Sequence, residues 1–574
     1  MTHQSISRRN FLGHSSLTLA SAMVGPHLSW PRMPVGAHLG AHRVVLPTHS
    51  SHAVSAFMRP PLDPAQLRRL ATGAIDAAMH AGADWADIRI GDHRVFRPSA
   101  YGSSVTLQCG FGLRVRVNGA EAFVGGADPV PDLLAAAAKS AVATARELSA
   151  ASGDKTTVRS GLAPAPSVTG EWRAPIAIDP FAMSIDDHAA MVEAADGAHD
   201  GRLNRLMSRG FRPNGGQHWT WIGEMRVLAS SEGTLLTQTL ANVDSRFSVE
   251  HWNWRYINTA GAIRLPVHGQ GARTAGFEAA LDPHLYDDLE AALDEIATYA
   301  QLPVGEMDVG RYAVVFDGHT QAAFINELFI PALSLNRVLG NEVDLTGTSF
   351  LAPPKVFIGD AVASPLMSLQ VDGPGPQFGA RRWDDDGVET RTVPLIQHGT
   401  LVDYLTSRSS LGMAHAMGKA GLVPATIADR VMLGGTTRAE VASRPAERAP
   451  SLSMAPSATP MSLAALARQM GKGLLVRGGW VSVDPEGIGG FIYPGMLFEV
   501  KGGQVVRRII GARLMFSTKR MLQPRALIAL GDADTQLTWS MEQFVPGVPW
   551  ILSIQAVTAP AAAYPEVDLV SSTM

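Results

Sequence analysis

The chain has 574 residues, of which 46% are hydrophobic and 17% are charged. This composition is typical of a globular protein and excludes a largely disordered chain, which would be poorer in apolar residues and richer in charge. The length predicts two to four folding units rather than one core. With 48 basic and 52 acidic residues the formal net charge is −4, so no nucleic-acid partner and no anionic membrane surface is indicated.

Residues 1–58 are predicted to be an export signal followed by a segment without clear periodicity. Arg8 and Arg9 precede Asn10-Phe11-Leu12 and an apolar stretch rich in Ala and Ser. This arrangement resembles a twin-arginine signal, which exports proteins after they have folded. The apolar stretch is interrupted by His14 and is too short to remain as a transmembrane anchor. We therefore expect a periplasmic or secreted protein.

The chain contains a single cysteine, Cys109. It cannot form an intrachain disulfide, and no metal cluster built from several thiolates is possible. In an oxidising compartment, where small folds are often held by disulfides, this protein must depend on the burial of a hydrophobic core.

Residues 59–150 predict an N-terminal α/β domain in which helices flank a sheet. Asp63-Pro64 has the form of an N-cap followed by a first-turn proline, and apolar residues then recur at helical spacing until Gly82. Alternating apolar residues predict strands on both sides of Asn118-Gly119, a dipeptide typical of hairpin turns. A second helix is predicted from about Asp132 to Leu148.

Residues 151–304 are predicted to form a central, β-rich domain. A connector rich in Ser, Pro, Gly and Ala leads to several segments with strand-like alternation between Trp219 and Trp254. A helix is then predicted from Asp282 to Ala300. Pro303 and Gly305 mark the boundary to the next domain.

Residues 305–560 are predicted to form a C-terminal mixed, β-rich domain, and residues 561–574 a tail. Within this domain, a low-complexity stretch from about Arg438 to Pro460 is predicted to be a surface loop. The fold class predicted for the whole chain is therefore α+β.

The most informative motif spans residues 314–333, with the sequence VVFDGHTQAAFINELFIPAL, which predicts a buried strand, a turn and a helix. It resembles the segment of the TldD/PmbA metallopeptidase family in which a strand leads to a helix bearing His-Glu-x-x-x-His. Without a gap, the first histidine of that motif falls on Asn326, the glutamate on Glu327 and the second histidine on Pro331.

In such a motif two neutral imidazoles hold zinc and the carboxylate acts as general base for the metal-bound water. By resemblance, active members also use a cysteine near the C-terminus. Here only Glu327 remains, because no cysteine follows Cys109 and neither Asn326 nor Pro331 is a good zinc ligand. The resemblance thus implies a degenerate site with no bound zinc, in which Glu327 is a relic general base or a solvated or paired helix carboxylate.

The resemblance extends beyond this segment. Asp385-Asp386-Gly387-Val388, residues 394–401 and Thr406-Ser407-Arg408 are similar to an acidic turn, a strand and a following strand of the family, in the same order. Weaker similarities bring the coverage to most of residues 60–535. The acidic run that begins at Asp384 could bind calcium, but the alternating ligand spacing of a calcium loop is absent, so a solvated acidic turn is predicted.

The family resemblance implies a non-catalytic or accessory subunit that acts on peptides or unfolded proteins. Such a subunit would pair, as a heterodimer or homodimer, with a TldD-like chain that has an intact motif. One alternative is an active hydrolase with a displaced metal site, using Glu327, His319 or His398 as ligands. Another is a structural or peptide-binding protein of the cell envelope.

Overall fold

The computed structural model describes residues 42–45, 62–97, 104–151, 161–182, 187, 211–251, 263–264, 271–281, 294–295, 298–299, 301–341, 347–429, 431–438, 442–544 and 552–571. These residues belong to one unit, Gly40–Met574. Sheets and a smaller number of helices alternate irregularly along the chain, which confirms the predicted α+β class. Arg8 and Arg9, predicted as part of an export signal, lie outside the described residues.

The N-terminal half contains a nine-stranded sheet with two helices on one face. Asp63 caps the first helix as predicted, since its side chain accepts a hydrogen bond from the Ala65 N–H at 3.0 Å. The predicted hairpin turn is also present, with Asn118 and Gly119 at positive φ. The elements are β1 (His42–Val45), α1 (Pro64–His80), β2 (Trp85–Arg97), β3 (Ser104–Val117), β4 (Ala120–Ala127), α2 (Pro131–Ala151), β5 (Thr169–Arg173), β6 (Phe211–Ser230), β7 (Leu235–His251), β8 (Ile263–Arg264) and β9 (Gly271–Arg273).

The predicted boundary at residue 150 needs correction, because it runs through this single sheet. Strand β2 pairs with β6 along most of the length of β2, from Asp87 opposite Ser230 to Phe96 opposite Trp221. The strand order β1-β3-β2-β6-β7-β5 therefore joins strands from both sides of the boundary. The connector after α2 changes composition without separating two folding units.

The C-terminal half is built around a ten-stranded and a six-stranded sheet. The ten-stranded sheet has the order β10-β22-β21-β18-β11-β27-β23-β20-β19, with β24 beside β27. Its strands are β10 (Val304–Gly305), β11 (Gly310–Phe316), β18 (Lys472–Arg477), β19 (Trp480–Val483), β20 (Gly489–Tyr493), β21 (Met496–Lys501), β22 (Gln504–Ile509), β23 (Ala512–Ser517), β24 (Ala529–Leu530) and β27 (Ala562–Ser571).

The six-stranded sheet has the order β14-β13-β12-β17-β26-β25, and a two-stranded ribbon lies apart from it. The strands are β12 (Leu369–Val371), β13 (Val393–Gln397), β14 (Thr400–Leu401), β15 (Thr437–Arg438), β16 (Ala446–Glu447), β17 (Ser451–Met454), β25 (Leu537–Phe544) and β26 (Leu552–Ala559). The helices of this half are α3 (Gly318–Ala332), α4 (Leu335–Val338), α5 (Arg408–Lys419), α6 (Ala425–Ala428), α7 (Leu463–Met470) and α8 (Thr518–Met521).

Two predictions about this half were wrong. The predicted tail, residues 561–574, includes β27, which pairs with both β11 and β23 inside the ten-stranded sheet. The stretch predicted as a surface loop, Arg438 to Pro460, includes β17, which lies between β12 and β26 and buries Leu452 and Met454 completely. In both segments small residues and proline obscure the alternation that would have indicated a strand.

Helix α3 lies against one face of the ten-stranded sheet. Val314 and Phe316 of β11 share a hydrophobic core with α3, whereas Val315 belongs to a separate cluster that includes residues of α7. Alternate residues of a strand point to opposite faces, so α3 and α7 cover opposite sides of the same strand. Among the described residues, no helix is both long and apolar enough to cross a membrane.

Candidate functional site

Helix α3 is positioned by a tight turn after β11. The Asp317 side chain caps the helix, because its Oδ1 accepts hydrogen bonds from the N–H of Thr320 at 2.9 Å and from its hydroxyl at 2.6 Å. Its Oδ2 accepts from the Gly478 N–H at 2.9 Å, which ties the turn to the end of β18. Gly318 has no room for a side chain, since a Cβ would lie 2.4 Å from the Thr535 carbonyl oxygen. The direction of α3 is therefore fixed at its first residue.

Every residue of α3 is buried except Glu327 and Pro331. These two residues are four positions apart, so they lie one above the other on the same face of the helix. The partly accessible face of α3 thus coincides with the two motif positions that were predicted from the sequence. This coincidence makes the face a candidate functional site.

Asn326 is fully buried and is held by two neighbours. Its Nδ2 donates a hydrogen bond to Glu327 Oε1 at 2.9 Å, and its Oδ1 lies 3.4 Å from Gln555 Nε2 of β26. The carboxamide therefore bridges the adjacent glutamate and the six-stranded sheet. Both ends of the Asn326 side chain contribute to packing and orientation within the fold.

Pro331 lies inside the last turn of α3. A proline has no N–H, so the Glu327 carbonyl oxygen cannot receive the usual helical hydrogen bond from residue 331. The helix ends one residue later, and the Leu333 N–H bonds to the Phe329 carbonyl at 2.9 Å. Pro331 therefore removes one helical hydrogen bond at the end of α3 where the chain leaves the helix.

These side chains do not fit a zinc ion at the motif positions. Zinc in proteins is bound by histidine nitrogen, cysteine sulfur or carboxylate oxygen. Pro331 has no donor atom, and the Asn326 carboxamide oxygen already faces Gln555. Of the three residues, only Glu327 has a side chain that commonly binds zinc. The motif therefore supplies one such ligand rather than the two histidines that the resemblance implies for an active member.

The two histidines considered as displaced ligands lie in different surroundings. His319 is 9% exposed in the first turn of α3, with its ring edge-on to Trp539 at a centroid distance of 4.3 Å. His398 occupies the exposed turn between β13 and β14 at φ +47. Within the described ranges, no group of three or more His, Cys, Asp or Glu side chains is arranged to hold a metal ion.

Burial raises the pKa of the Glu327 carboxyl group to about 6, while the hydrogen bond from Asn326 acts in the opposite direction. The side chain is partly accessible and accepts a hydrogen bond from Asn326, where the sequence predicted a solvated or paired helix carboxylate. A carboxyl group of this kind takes up a proton close to neutral pH.

Replacing Glu327 by glutamine should remove a pH dependence of stability. The pKa of Glu327 in the folded protein lies above the ordinary value of a glutamate. The protonated side chain therefore stabilises the fold when the pH is below the pKa of the unfolded state, and this stabilisation is lost as the pH rises through about 6. Relative to wild type, the variant should gain about 2 kcal/mol in unfolding free energy between about pH 4 and pH 8. Urea denaturation of both proteins across this pH range measures the difference in their unfolding free energies. A difference that does not change with pH would contradict the raised pKa of Glu327.

The acidic turn at residues 384–386 is buried, so the prediction that it is solvated was wrong. The three aspartates are 3%, 1% and 6% exposed. Asp384 accepts hydrogen bonds from backbone N–H groups, including those of Val388 at 2.8 Å and Thr437 at 3.0 Å. Asp384 thus stabilises the turn itself, and its two neighbours face arginines.

Asp385 and Asp386 connect this turn to the N-terminal sheet. Asp385 pairs with Arg226 of β6 and, at 3.2 Å, with Arg381. Asp386 accepts from Arg114 of β3 at 2.7 Å. Burial alone would raise the pKa of Asp385, but the adjacent guanidinium groups hold it below its usual range. The two halves of the chain are therefore joined by buried ion pairs.

Sequence reasoning missed several polar residues that surround α3. Gln321 is fully buried and accepts a hydrogen bond from the Tyr564 hydroxyl at 2.9 Å. Gln555 is also fully buried next to Asn326. Neither residue stands in a recognisable motif, and their roles depend on strand pairings that bring distant segments together. No signal in the sequence could have identified them.

Comparison with known proteins agrees with this architecture. Residues 309–560 match the family model of the PmbA/TldA metallopeptidase C-terminal domain. A metalloprotease from Synechocystis sp. is 27% identical over 243 residues, which are 41% of this chain and 45% of that protein. A metalloprotease from Methanocaldococcus jannaschii is 27% identical over 141 residues, 25% of this chain and 29% of that protein. The matches thus span less than half the length of each relative.

The fold is similar to a solved structure over most of its length. TldE from Thermococcus kodakarensis superposes with a TM-score of 0.61 and 14% sequence identity, covering 88% of this chain and all of the other. At this identity the likeness establishes the fold alone. The family match identifies residues 309–560 as a PmbA/TldA metallopeptidase C-terminal domain, and the superposition shows that the fold of the chain is similar to that of TldE.

Proposed function

We propose that this protein is an exported, non-catalytic subunit of a peptide-cleaving assembly, in which a partner with an intact His-Glu-x-x-x-His motif performs the chemistry. The observation that carries the proposal is the identity of the residues on α3: an asparagine and a proline stand where the resemblance implies zinc-binding histidines. A carboxylate without a metal-bound water beside it has no nucleophile to activate in the family mechanism.

The surroundings of the site support a structural role for these residues. Asn326 is fully buried and hydrogen-bonded across to β26. Releasing its side chain to bind a metal would leave the Gln555 amide without that bond. The arrangement is thus stabilised as it stands, with Glu327 as a relic of a general-base position.

The substrate in this proposal is a peptide or an unfolded protein, and the partner is a second subunit in a heterodimer or homodimer. The two relatives named above are described as metalloproteases, which supports a connection with proteolysis. Binding of an extended peptide through main-chain hydrogen bonds does not require a metal.

The decisive experiment combines metal content with peptide cleavage. We expect the purified mature chain to contain no stoichiometric zinc and not to cleave a pool of unfolded peptides. Cleavage should be stronger when an intact-motif relative is added than with that relative alone. In the mixture, Glu327→Gln should leave the rate unchanged. Stoichiometric zinc together with chelator-sensitive cleavage by the chain alone, abolished by Glu327→Gln, would overturn the proposal.

A second candidate is an active hydrolase, and one observation favours it. The pKa of Glu327, raised by burial to about 6, is suited to a general base that works near neutral pH. The same experiment separates the candidates, since this one requires cleavage without a partner. A purely structural envelope protein would neither cleave peptides alone nor raise the activity of an intact-motif relative.

A further inference from the structure

Strand β5 forms one edge of the nine-stranded sheet. It is the last strand in the order β1-β3-β2-β6-β7-β5, and it pairs with β7 from Thr169 opposite Leu235 to Arg173 opposite Thr239. This pairing has no register shift, and the strand contains no proline. Natural proteins commonly use bulges or prolines to prevent further pairing at the edge of a sheet. Neither device is present in β5.

The outer main-chain groups of β5 can be reached by another strand. The carbonyl oxygen of Val168 and the N–H of Ala174 form hydrogen bonds with β7, at 2.9 Å and 2.8 Å. Since main-chain groups point to alternate sides along a strand, those of Thr169, Glu171 and Arg173 point away from β7. No residue in the described part of the chain forms a hydrogen bond with them, and all three residues are exposed.

The other side chains of β5 hold the strand against the protein. Trp172 packs against a buried cluster of Leu228, Leu236 and Trp383. Gly170 lies directly over the same tryptophan, because a Cβ at this position would be 2.6 Å from the Trp383 ring. A strand that is already fixed by such contacts loses little conformational freedom when a ligand pairs with it.

Two exposed side chains of opposite charge lie on one face of β5. Glu171 and Arg173 are two residues apart, so they point to the same face of the sheet. Arg68 of α1 donates a hydrogen bond to one oxygen of the Glu171 carboxylate, and the Glu171 side chain is 69% exposed. Opposite charges directly across two strands stabilise the pairing, and like charges destabilise it. This edge therefore favours a strand with an acidic residue opposite Arg173 and a basic residue opposite Glu171.

The length of the edge indicates the kind of partner. The five residues of β5 span about 17 Å. A stable complex of two folded proteins buries about 800 Å² on each partner and involves about 20–30 residues a side. Strand β5 is too short to supply such an interface between two copies of the chain. A short extended peptide matches its length.

We propose that β5 binds an extended peptide as an additional antiparallel strand, with an acidic residue opposite Arg173 and a basic residue two positions later opposite Glu171. Main-chain hydrogen bonds supply the affinity, and the two charged pairs select the sequence. Antiparallel pairing is slightly more stable per residue than parallel pairing. The inference rests on the proposed function for the class of its ligand, and it assigns that ligand to the N-terminal sheet.

Calorimetric titration of the full chain with blocked synthetic peptides tests the proposal. The peptide Thr-Val-Glu-Val-Lys-Val-Thr should give a saturable heat of binding, and Thr-Val-Lys-Val-Lys-Val-Thr should bind at least about fivefold more weakly. Methylation of the main-chain nitrogens of Glu and Lys in the first peptide should abolish binding, because these nitrogens donate to β5. No saturable heat at up to about 1 mM peptide, or equal binding of either control peptide, would overturn the proposal.

Variants of β5 locate the binding. Arg173→Glu makes both charges of the edge acidic, so it should reverse the preference between the two unmethylated peptides. Thr169→Pro removes one outward N–H at the first residue of the strand, where proline is tolerated, and should weaken binding at least about fivefold. Thr169→Val keeps this N–H and should leave binding unchanged. An unaltered preference in Arg173→Glu, or unaltered binding in Thr169→Pro, would place the peptide elsewhere and refute the proposal.

These titrations involve neither a partner nor cleavage, so their outcome can be separated from that of the proposed function. Selective binding at β5 without any gain in cleavage by an intact-motif relative would retain this inference and contradict the proposed function. A gain in cleavage without peptide binding at β5 would contradict this inference alone. Self-association of the chain in sedimentation experiments, abolished by Thr169→Pro, would show that a second copy occupies the edge and would also overturn the proposal.

Discussion

Replacing Asp385 by alanine is expected to lower the free energy of unfolding by about 3–5 kcal/mol, because it leaves buried arginines without their counter-charge. Asp385 is 1% exposed, and it pairs with Arg226, which is 5% exposed, and with Arg381, which is 3% exposed. Burial lowers the pKa of Arg381 to about 10, and the Asp385 carboxylate opposes that shift. Urea denaturation monitored by tryptophan fluorescence measures the loss.

The same loop provides a matched control for this prediction. Arg382 and Glu389 form an ion pair at 3.4 Å, with side chains that are 53% and 67% exposed. Exposed pairs contribute about 0–1 kcal/mol, so Glu389→Ala should change the unfolding free energy little. Equal effects of Asp385→Ala and Glu389→Ala would show that burial of the ion pairs does not determine stability at this junction.

Replacing Phe324 by alanine should cost a similar amount, about 3–5 kcal/mol, through the cavity that it leaves in the core. Phe324 is fully buried on α3. Its ring centroid lies 5.2 Å from that of Phe516, 6.1 Å from that of Tyr564 and 6.4 Å from that of Phe316. Removing the ring takes away aromatic contacts to three strands of one sheet. The unfolding free energy from urea denaturation measures the effect.

Phe324→Leu keeps most of the apolar volume and should destabilise the protein less than Phe324→Ala. Leu422→Ala serves as the surface comparison, because Leu422 is 61% exposed and its removal should stay within about 0.5 kcal/mol. A loss from Phe324→Ala no larger than that from Leu422→Ala would mean that α3 is not anchored through this ring.

Local features of the fold could be predicted from the sequence because short-range physics determines them. The Asp63 cap of α1, the turn at Asn118 and Gly119, and the strand, turn and helix at residues 314–333 each depend on neighbouring residues. Periodicity and capping express those preferences directly. The position of Asn326, Glu327 and Pro331 on a helix after a buried strand was therefore predicted correctly.

Features that depend on distant pairing could not be predicted. Three adjacent aspartates indicate a solvated turn unless arginines approach them, and Arg226 precedes Asp385 in the chain by 159 residues. Arg114 precedes Asp386 by 272 residues. Only the pairing of β2, β3 and β6 brings these arginines onto one face of a sheet. The burial of the acidic turn is thus a property of the tertiary structure.

In the candidate site too, local features could be predicted from the sequence, and contacts between distant segments could not. The sequence identified the accessible face of α3 through the motif, but it gave no indication that Gln555 would contact Asn326 from a strand 229 residues away. Nor could it show that Glu327 is largely surrounded by protein, since burial depends on how β25, β26 and α3 pack. The chemical state of the carboxyl group follows from that packing.

The position of β27 determines when the C-terminal half can complete its folding during synthesis. Strand β27 follows every other strand of its sheet along the chain, yet it separates β11 from β23, which both pair with it. Until the ribosome has delivered residues 562–571, β11 and β23 face a gap about two strand spacings wide, roughly 10 Å, with unpaired backbone groups on both sides. A nascent chain that stalls before this strand therefore presents two open sheet edges to chaperones and to other nascent chains.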